Sequence, residues 1–237
     1  MIFDQAEFNV RFEWGHKGAY LLGPVSDVII VVDVLSFSTA VEIATSQGAV
    51  VYPYRWKDET VYDFAESISA EVADRENGNG YCLSPASLQS LPPGIRLVLP
   101  SPNGSHICFS TGSTHTMAGC LRNSRAVAES AMRKGRDVTV IAAGERWEDD
   151  TLRPCFEDTV GAGAIIRHLT GTLSPEAEAA AAVFEKTSSS LLEHIKRCSS
   201  GKEKISRGEG RDLVLASELD ISVCVPVLTD GAFKREA

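Results

Sequence analysis

Three stretches of this 237-residue chain place oxygen-bearing side chains directly after apolar runs. The first, Val28 to Val34, contains Asp33 and leads into Ser36, Ser38 and Thr39. The second, Arg96 to Leu99, is followed past Pro100 by Ser101-Pro102-Asn103-Gly104-Ser105. The third, Asp137 to Ala142, is followed by Gly144, Glu145 and Arg146, then by Arg153 and by Glu157 and Asp158 at the start of a helical run. Together they supply the carboxylates of Asp33, Glu145, Glu157 and Asp158, several hydroxyls and a helix N-terminus. Hard oxygen donors of this kind suit Mg²⁺, and N–H groups at a helix start suit the oxygens of a small anion. Each group also has an ordinary explanation. Asp33 could cap the helix that follows, Asn-Gly is a common turn pair, and acids in a first helical turn are favoured by the helix dipole alone. Their shared position after successive strands is what points to a site, because ligands of open α/β sheets lie beyond the carboxyl ends of the strands.

The elements that must carry these residues follow from hydrophobic pattern. Val28 to Val34 is rich in β-branched residues and reads as a strand buried on both faces. Thr39 and Glu42 have capping-box spacing for a helix that ends at Gly48. Ala49 to Tyr54 reads as a strand, Asp58 as the N-cap of a helix with apolar residues from Val61 to Val72, and Asn77 to Gly94 as a long loop. Arg96 to Leu99 and Thr116 to Leu121 read as strands, with a helix over Ser124 to Lys134. Asp137 to Ala142 is the next strand, the loop Ala143 to Pro154 follows, and Phe156 to Leu169 reads as a helix. Ser174-Pro175-Glu176 is a helix start with Pro at the first position, opening an Ala-rich stretch that runs towards Cys198 and breaks near Ser188 to Ser190. Gly201 to Gly210 is polar and basic and reads as a mobile loop, Arg211 to Leu219 as a helix, and Ser222 to Leu228 as a last strand. Alternating strands and helices predict a layered α/β sandwich with a largely parallel or mixed sheet flanked by helices. No internal repeat or linker divides residues 1–237, so a single domain is expected.

Composition narrows the function. With 43% hydrophobic and 23% charged residues the chain has ordinary globular composition. Lys plus Arg number 23 against 32 Asp plus Glu, a net charge of −9. So acidic a chain lacks the basic field that binds a nucleic-acid backbone. A small anionic substrate stays open, since a metal ion or a few placed arginines reverse the sign locally. No apolar run approaches the about 20 residues of a membrane span, and the acidic start MIFDQAEF does not read as a signal peptide. The six cysteines show no C-x-x-C spacing, which suggests free thiols in a reducing cytoplasm rather than disulfides or a zinc knuckle. Several templates are missing: there is no P-loop and no G-x-S-x-G elbow, and the histidines show no metal spacing. Gly161-Ala162-Gly163 lies inside a helical run, where close helix packing explains it better than a dinucleotide fingerprint. Position 35 is Leu where haloacid-dehalogenase phosphatases carry a second Asp.

The order of motifs resembles the 2-phosphosulfolactate phosphatase family of coenzyme M biosynthesis. Val31-Val32-Asp33-Val34-Leu35 with Phe37-Ser38-Thr39 is similar to its D-V-L-R-A-[ST]-[ST] segment, and Pro102-Asn103-Gly104-Ser105 to its T-N-G-T turn. Leu121 to Ala128 resembles its L-x-N-x-x-A-x-A helix start. Ala142-Ala143-Gly144 and Phe156 to Gly163 resemble its C-A-G and S-x-E-D-x-x-C-A-G pair, and Asp220-Ile221 with Val225-Pro226 its final stretch. Two departures stand out. Ser36 replaces the Arg after D-V-L, and the family's G-E-R-G-G and G-N-S-P elements are replaced by Glu76 to Gly80 and Leu83-Ser84-Pro85. The resemblance implies a Mg²⁺-dependent phosphatase converting 2-phospho-3-sulfolactate to 3-sulfolactate and phosphate. Asp33, Glu157 and Asp158 would hold the metal; Asn103, Ser105 and the Gly144 backbone would donate to the phosphoryl group; Arg146 and Arg153 would replace the missing cations. Ser38, Thr39, Gly104 and Glu145 complete the expected substrate-binding set. Asp33 as a covalent phospho-acceptor stays open beside a metal-activated water, as does homo-oligomer formation. The alternative, motivated by Ser36 and the altered loop, is a family member that binds a small phosphorylated or sulfonated acid without turnover.

Overall fold

The computed structural model describes residues 2–56, 58–75 and 80–236. The chain opens with β1 (Val10–Trp14), α1 (Gly15–Leu22), β2 (Val28–Val32), α2 (Phe37–Ser46), β3 (Val50–Tyr54), α3 (Thr60–Ser67) and β4 (Glu71–Val72). It continues with β5 (Arg96–Pro100), α4 (Gly104–Cys108), β6 (His115–Gly119), α5 (Ser124–Lys134), β7 (Val138–Ala142) and the hairpin strands β8 (Glu145–Arg146) and β9 (Leu152–Arg153). Helices follow: α6 (Phe156–Ile166), α7 (Pro175–Thr187), α8 (Leu191–Arg197), α9 (Ser199–Ser206) and α10 (Gly210–Ala216). The hairpin β10 (Pro226–Thr229) and β11 (Ala232–Arg235) ends the fold.

Nine strands form one sheet in the order β1-β7-β2-β6-β10-β11-β3-β5-β4. Two parallel blocks, β1-β7-β2-β6 and β3-β5-β4, are joined by the antiparallel β10–β11 hairpin, so the sheet is mixed. Val32 pairs with both Gly119 and Ala142, which aligns the carboxyl ends of β2, β6 and β7. The loops after β2 and β7 therefore emerge side by side. Strand β2 is apolar throughout because both its faces are covered. Val28, Ile30 and Val32 join the core under α5, α6 and α7, while Ile29 and Val31 join the core under α2 and α4. Burying side chains of this size stabilises by about 1.5–3 kcal/mol each.

Several expectations hold. Ser174 caps α7 by accepting from the Ala177 N–H at 3.2 Å, and the break at Ser188–Ser190 is a 3₁₀ turn. The Gly161-Gly163 pair lies at a close helix crossing, where a Cβ on Gly163 would overlap the Ala180 carbonyl of α7. All six cysteines are free, and among the described residues no helix is long and apolar enough to cross a membrane.

Other expectations do not. Gly201 to Gly210, read as a mobile loop, is largely helical: α9 begins at Ser199, with the Cys198 sulfur accepting from the Gly201 N–H. Thr39 and Glu42 form no capping box. The helix starts earlier, at Phe37, Thr39 donates to the Val34 carbonyl at 2.9 Å, and Glu42 is buried against Arg122 at 2.6 Å. The helix expected behind Asp58 is shorter, since α3 has Glu59 as its N-cap and stops at Ser67, and Val72 lies in strand β4. Strands β1 and β11 were not anticipated: β11 is short and half charged, while β1 carries an apolar–polar alternation, Val10-Arg11-Phe12-Glu13-Trp14, that was its available signal.

Candidate active site

The carboxyl ends of β2 and β7 and the first turn of α6 meet at one point. Asp158, in that turn, accepts from the Val34 N–H and the Gly144 N–H, both at 2.8 Å. One buried side chain thus ties the ends of both strands to the helix. Gly144 can be only glycine here. Its φ is +66°, and a Cβ would meet the Arg153 carbonyl at 2.8 Å. Asp33 accepts from Phe37 N–H at the start of α2 and from Gly104 N–H at the start of α4, both at 3.1 Å. It therefore does cap α2, and it also fixes the Asn103-Gly104 turn that follows β5.

Asp33, Glu157 and Asp158 are each nearly buried, at 7%, 3% and 3% exposure, and line one cavity of about 520 Å³ together with half-buried Glu145. Burial pushes the Asp33 carboxyl up to about 7, and the nearby Glu145 and Glu157 charges add to the rise; its N–H partners oppose it. Burial, with the Asp33 and Glu157 charges, likewise raises Asp158 well above the usual carboxylate range. The Cys198 thiol meets Glu157 and is pushed up to about 12, chiefly by its own burial and then by the Glu157 charge. This is an electrostatically unfavourable pocket of crowded carboxylates in need of positive charge.

Part of that charge comes from basic side chains of the same cavity. Arg146 and Arg153, carried by the β8–β9 hairpin, line the cavity, as do Lys204 and Arg207 of α9. Arg146 pairs with Asp150 at 2.7 Å and contacts His106 Nδ1 at 3.2 Å. Lys204 pairs with Glu209 at 2.9 Å, and Arg207 with Glu203. Arg153 donates to the Ser200 hydroxyl at 3.4 Å and lies over the Trp147 ring, and it forms no ion pair with a described residue. The α9 residues were missed because Ser199-Ser200-Gly201 has loop composition. The available signal was Cys198 acting as an N-cap, followed by the helix formers Lys202 to Lys204.

The sequence-nominated residues separate into two groups. Asp33, Asn103, Gly144, Glu145, Arg146, Arg153, Glu157 and Asp158 converge on the cavity. Ser38, Thr39 and Ser105 do not reach it. All three are fully buried, and their hydroxyls donate to the carbonyls of Asp33, Val34 and Leu99. They brace the backbone instead of facing a ligand. Gly104 acts through its N–H on Asp33. The expected phosphoryl donors are also engaged: Gly144 N–H by Asp158, Asn103 Nδ2 by Glu145 at 2.7 Å, and Ser105 by Leu99. Of the altered loop, Glu76-Asn77-Gly78-Asn79 lies outside the described residues, and Leu83 lines the cavity.

The donor set suits a hard cation. The crowded groups are carboxylates, and the outer lone pairs of their oxygens stay available beyond the N–H contacts. Among the described residues no three acidic, histidine or cysteine side chains form a complete metal cage. Mg²⁺ does not require such a cage, since it uses one or two carboxylates and keeps waters or substrate oxygens for the rest.

Fold and site together define a layered α/β enzyme whose buried carboxylates share one cavity with basic side chains. Comparison with known sequences places it further. The family model for 2-phosphosulpholactate phosphatase matches residues 21–231, and the chain belongs to that family, a group of phosphoric monoester hydrolases. A probable 2-phosphosulfolactate phosphatase of Thermotoga petrophila is 27% identical over 210 residues, covering 86% of this chain and 90% of the relative. One from Thermosynechococcus vestitus is 30% identical over 223 residues, covering 84% and 88%. The 2-phosphosulfolactate phosphatase of Methanothermobacter thermautotrophicus is 30% identical over 209 residues, covering 87% and 88%.

Proposed function

We propose that this protein is a Mg²⁺-dependent phosphatase that hydrolyses the phosphate ester of a small sulfonated or carboxylated hydroxy acid, with 2-phospho-3-sulfolactate as substrate and 3-sulfolactate and phosphate as products. The observation that carries the reading is the cavity itself, lined by buried Asp33, Glu157 and Asp158 together with Arg146 and Arg153. Asp33 and Glu157 would hold the metal. Asp158, with both oxygens on backbone N–H groups, would keep the two strand ends in place for them. When bound, Mg²⁺ supplies Lewis-acid polarisation of the phosphoryl group and a lowered pKa for a bound water. The chain's own contribution is positional. Arg153 would pair with the acid group of the substrate, because its planar donors match sulfonate or carboxylate oxygens. Arg146, held by His106 and Asp150, would steady the phosphate. Glu145, fixed by Asn103 at 2.7 Å, lies beside Asp33 and would accept a proton from the attacking water.

The test is a phosphate-release screen over small phosphorylated acids, with Mg²⁺ and with chelator. The reading expects release from 2-phospho-3-sulfolactate only with Mg²⁺. Equal release under both conditions removes the metal role. No release from any acid leaves a family member that binds without turnover.

A further inference from the structure

Ser36 lines the same cavity, at 3% exposure, and its hydroxyl oxygen has no hydrogen-bond partner. A buried hydroxyl without a partner costs stability. An N-cap serine ordinarily avoids that cost by accepting from the first turn of its helix. Ser36 is the N-cap of α2, a ten-residue helix, and its side chain makes no such bond. The Phe37 and Ser38 N–H groups at the start of α2 instead donate to the Asp33 carboxylate and carbonyl. The other expected neutral donors are already bonded to protein acceptors: Gly144 N–H, Asn103 Nδ2 and Ser105 Oγ.

We propose that Ser36 is a substrate-contact residue whose hydroxyl donates to a non-bridging oxygen of a phosphate bound in this cavity. The unpaired hydroxyl is then the empty half of a hydrogen bond that the ligand completes. The ligand class is a phosphate monoester, or the inorganic phosphate it releases. The seat takes the phosphate by a neutral donor, which leaves Arg153 free for the second acid group. The choice of substrate rests on the phosphatase reading above; the seat for phosphate does not.

The experiment is calorimetric titration of wild type, Ser36→Ala and Ser36→Thr with inorganic phosphate, alongside urea unfolding of each. Ser36→Ala removes no cap bond and relieves the unpaired hydroxyl, so its unfolding midpoint is expected to equal or exceed that of wild type. Its affinity for phosphate is expected to fall about 10-fold or more, the usual loss for a hydroxyl donating to a charged oxygen, and Ser36→Thr is expected to retain most of it. Affinities within twofold of each other would overturn the proposal. So would wild type that binds no phosphate, or an alanine variant of lowered stability, which would make the hydroxyl structural. If phosphate affinity falls as expected but wild type releases phosphate from no ester, the seat stands and the phosphatase reading fails.

Discussion

Asp33→Asn should change the stability of the protein by an amount that depends on pH. The Asp33 carboxyl is buried beside Glu145 and Glu157, with a pKa of about 7 against its ordinary 3.8. Folding therefore favours the protonated form. The stability this group contributes is fully present below about pH 4 and is lost as pH rises through about 7. At 1.36 kcal/mol per pH unit, roughly 4 kcal/mol is lost in all, and roughly 2–3 kcal/mol of it between pH 5 and pH 8. Asparagine carries no charge and escapes this loss. It has one carbonyl oxygen where Asp33 accepts from both Phe37 and Gly104, so one N–H is left unpaired at a pH-independent cost of about 1–3 kcal/mol. Urea unfolding in chelator at pH 5 and pH 8 separates the two effects. Relative to wild type, the variant should gain roughly 2–3 kcal/mol on going from pH 5 to pH 8. Adding Mg²⁺ at pH 8 should then stabilise wild type more than the variant. A stability difference that is the same at both pH values would refute the buried-charge reasoning.

Glu157→Gln should cut turnover by about 10²-fold or more and weaken Mg²⁺ binding, as expected for a lost metal-coordinating charge. In chelator its stability should not fall below that of wild type, because the change removes one of the buried charges that crowd Asp33 and Asp158; denaturant unfolding checks this. Arg153→Met keeps much of the side-chain bulk but loses the planar cation, so KM for a doubly anionic substrate should rise about 10-fold or more; an unchanged KM would place the second acid group elsewhere. Denatured protein without reductant should show six titratable thiols, since all six cysteines are free; a count of two or fewer would contradict the structure.

The strands that form the site were legible because burial on both faces leaves a continuous apolar run, as in Val28–Val32 and Val138–Ala142. The acids that follow those runs were legible for the same reason: Asp33, Glu145, Glu157 and Asp158 all reach the cavity. What the pattern could not separate was a hydroxyl facing a ligand from one bracing a turn. Ser36, Ser38 and Thr39 all follow Asp33 in the same short segment, yet Ser38 and Thr39 are bonded to backbone carbonyls, and of the three only Ser36 lines the cavity. That distinction depends on where α2 begins, one residue after Ser36. The α9 wall was hidden for another reason. Lys204 and Arg207 come to the cavity that Glu157 lines only through packing of distant segments, and Ser-Gly-Lys composition there overrides any helical pattern. The mixed character of the sheet rests on the β10–β11 hairpin, antiparallel to β6 on one side and β3 on the other, and the four residues of β11, two of them charged, are too few to read as a strand.

The central claim is Mg²⁺-dependent hydrolysis at the Asp33–Glu157 wall, and ³¹P NMR of 2-phospho-3-sulfolactate with the purified protein tests it most directly. The ester signal should persist in chelator and convert to inorganic phosphate once Mg²⁺ is restored. An ester signal that survives excess Mg²⁺ with folded protein, or one that disappears equally fast in chelator, would contradict it.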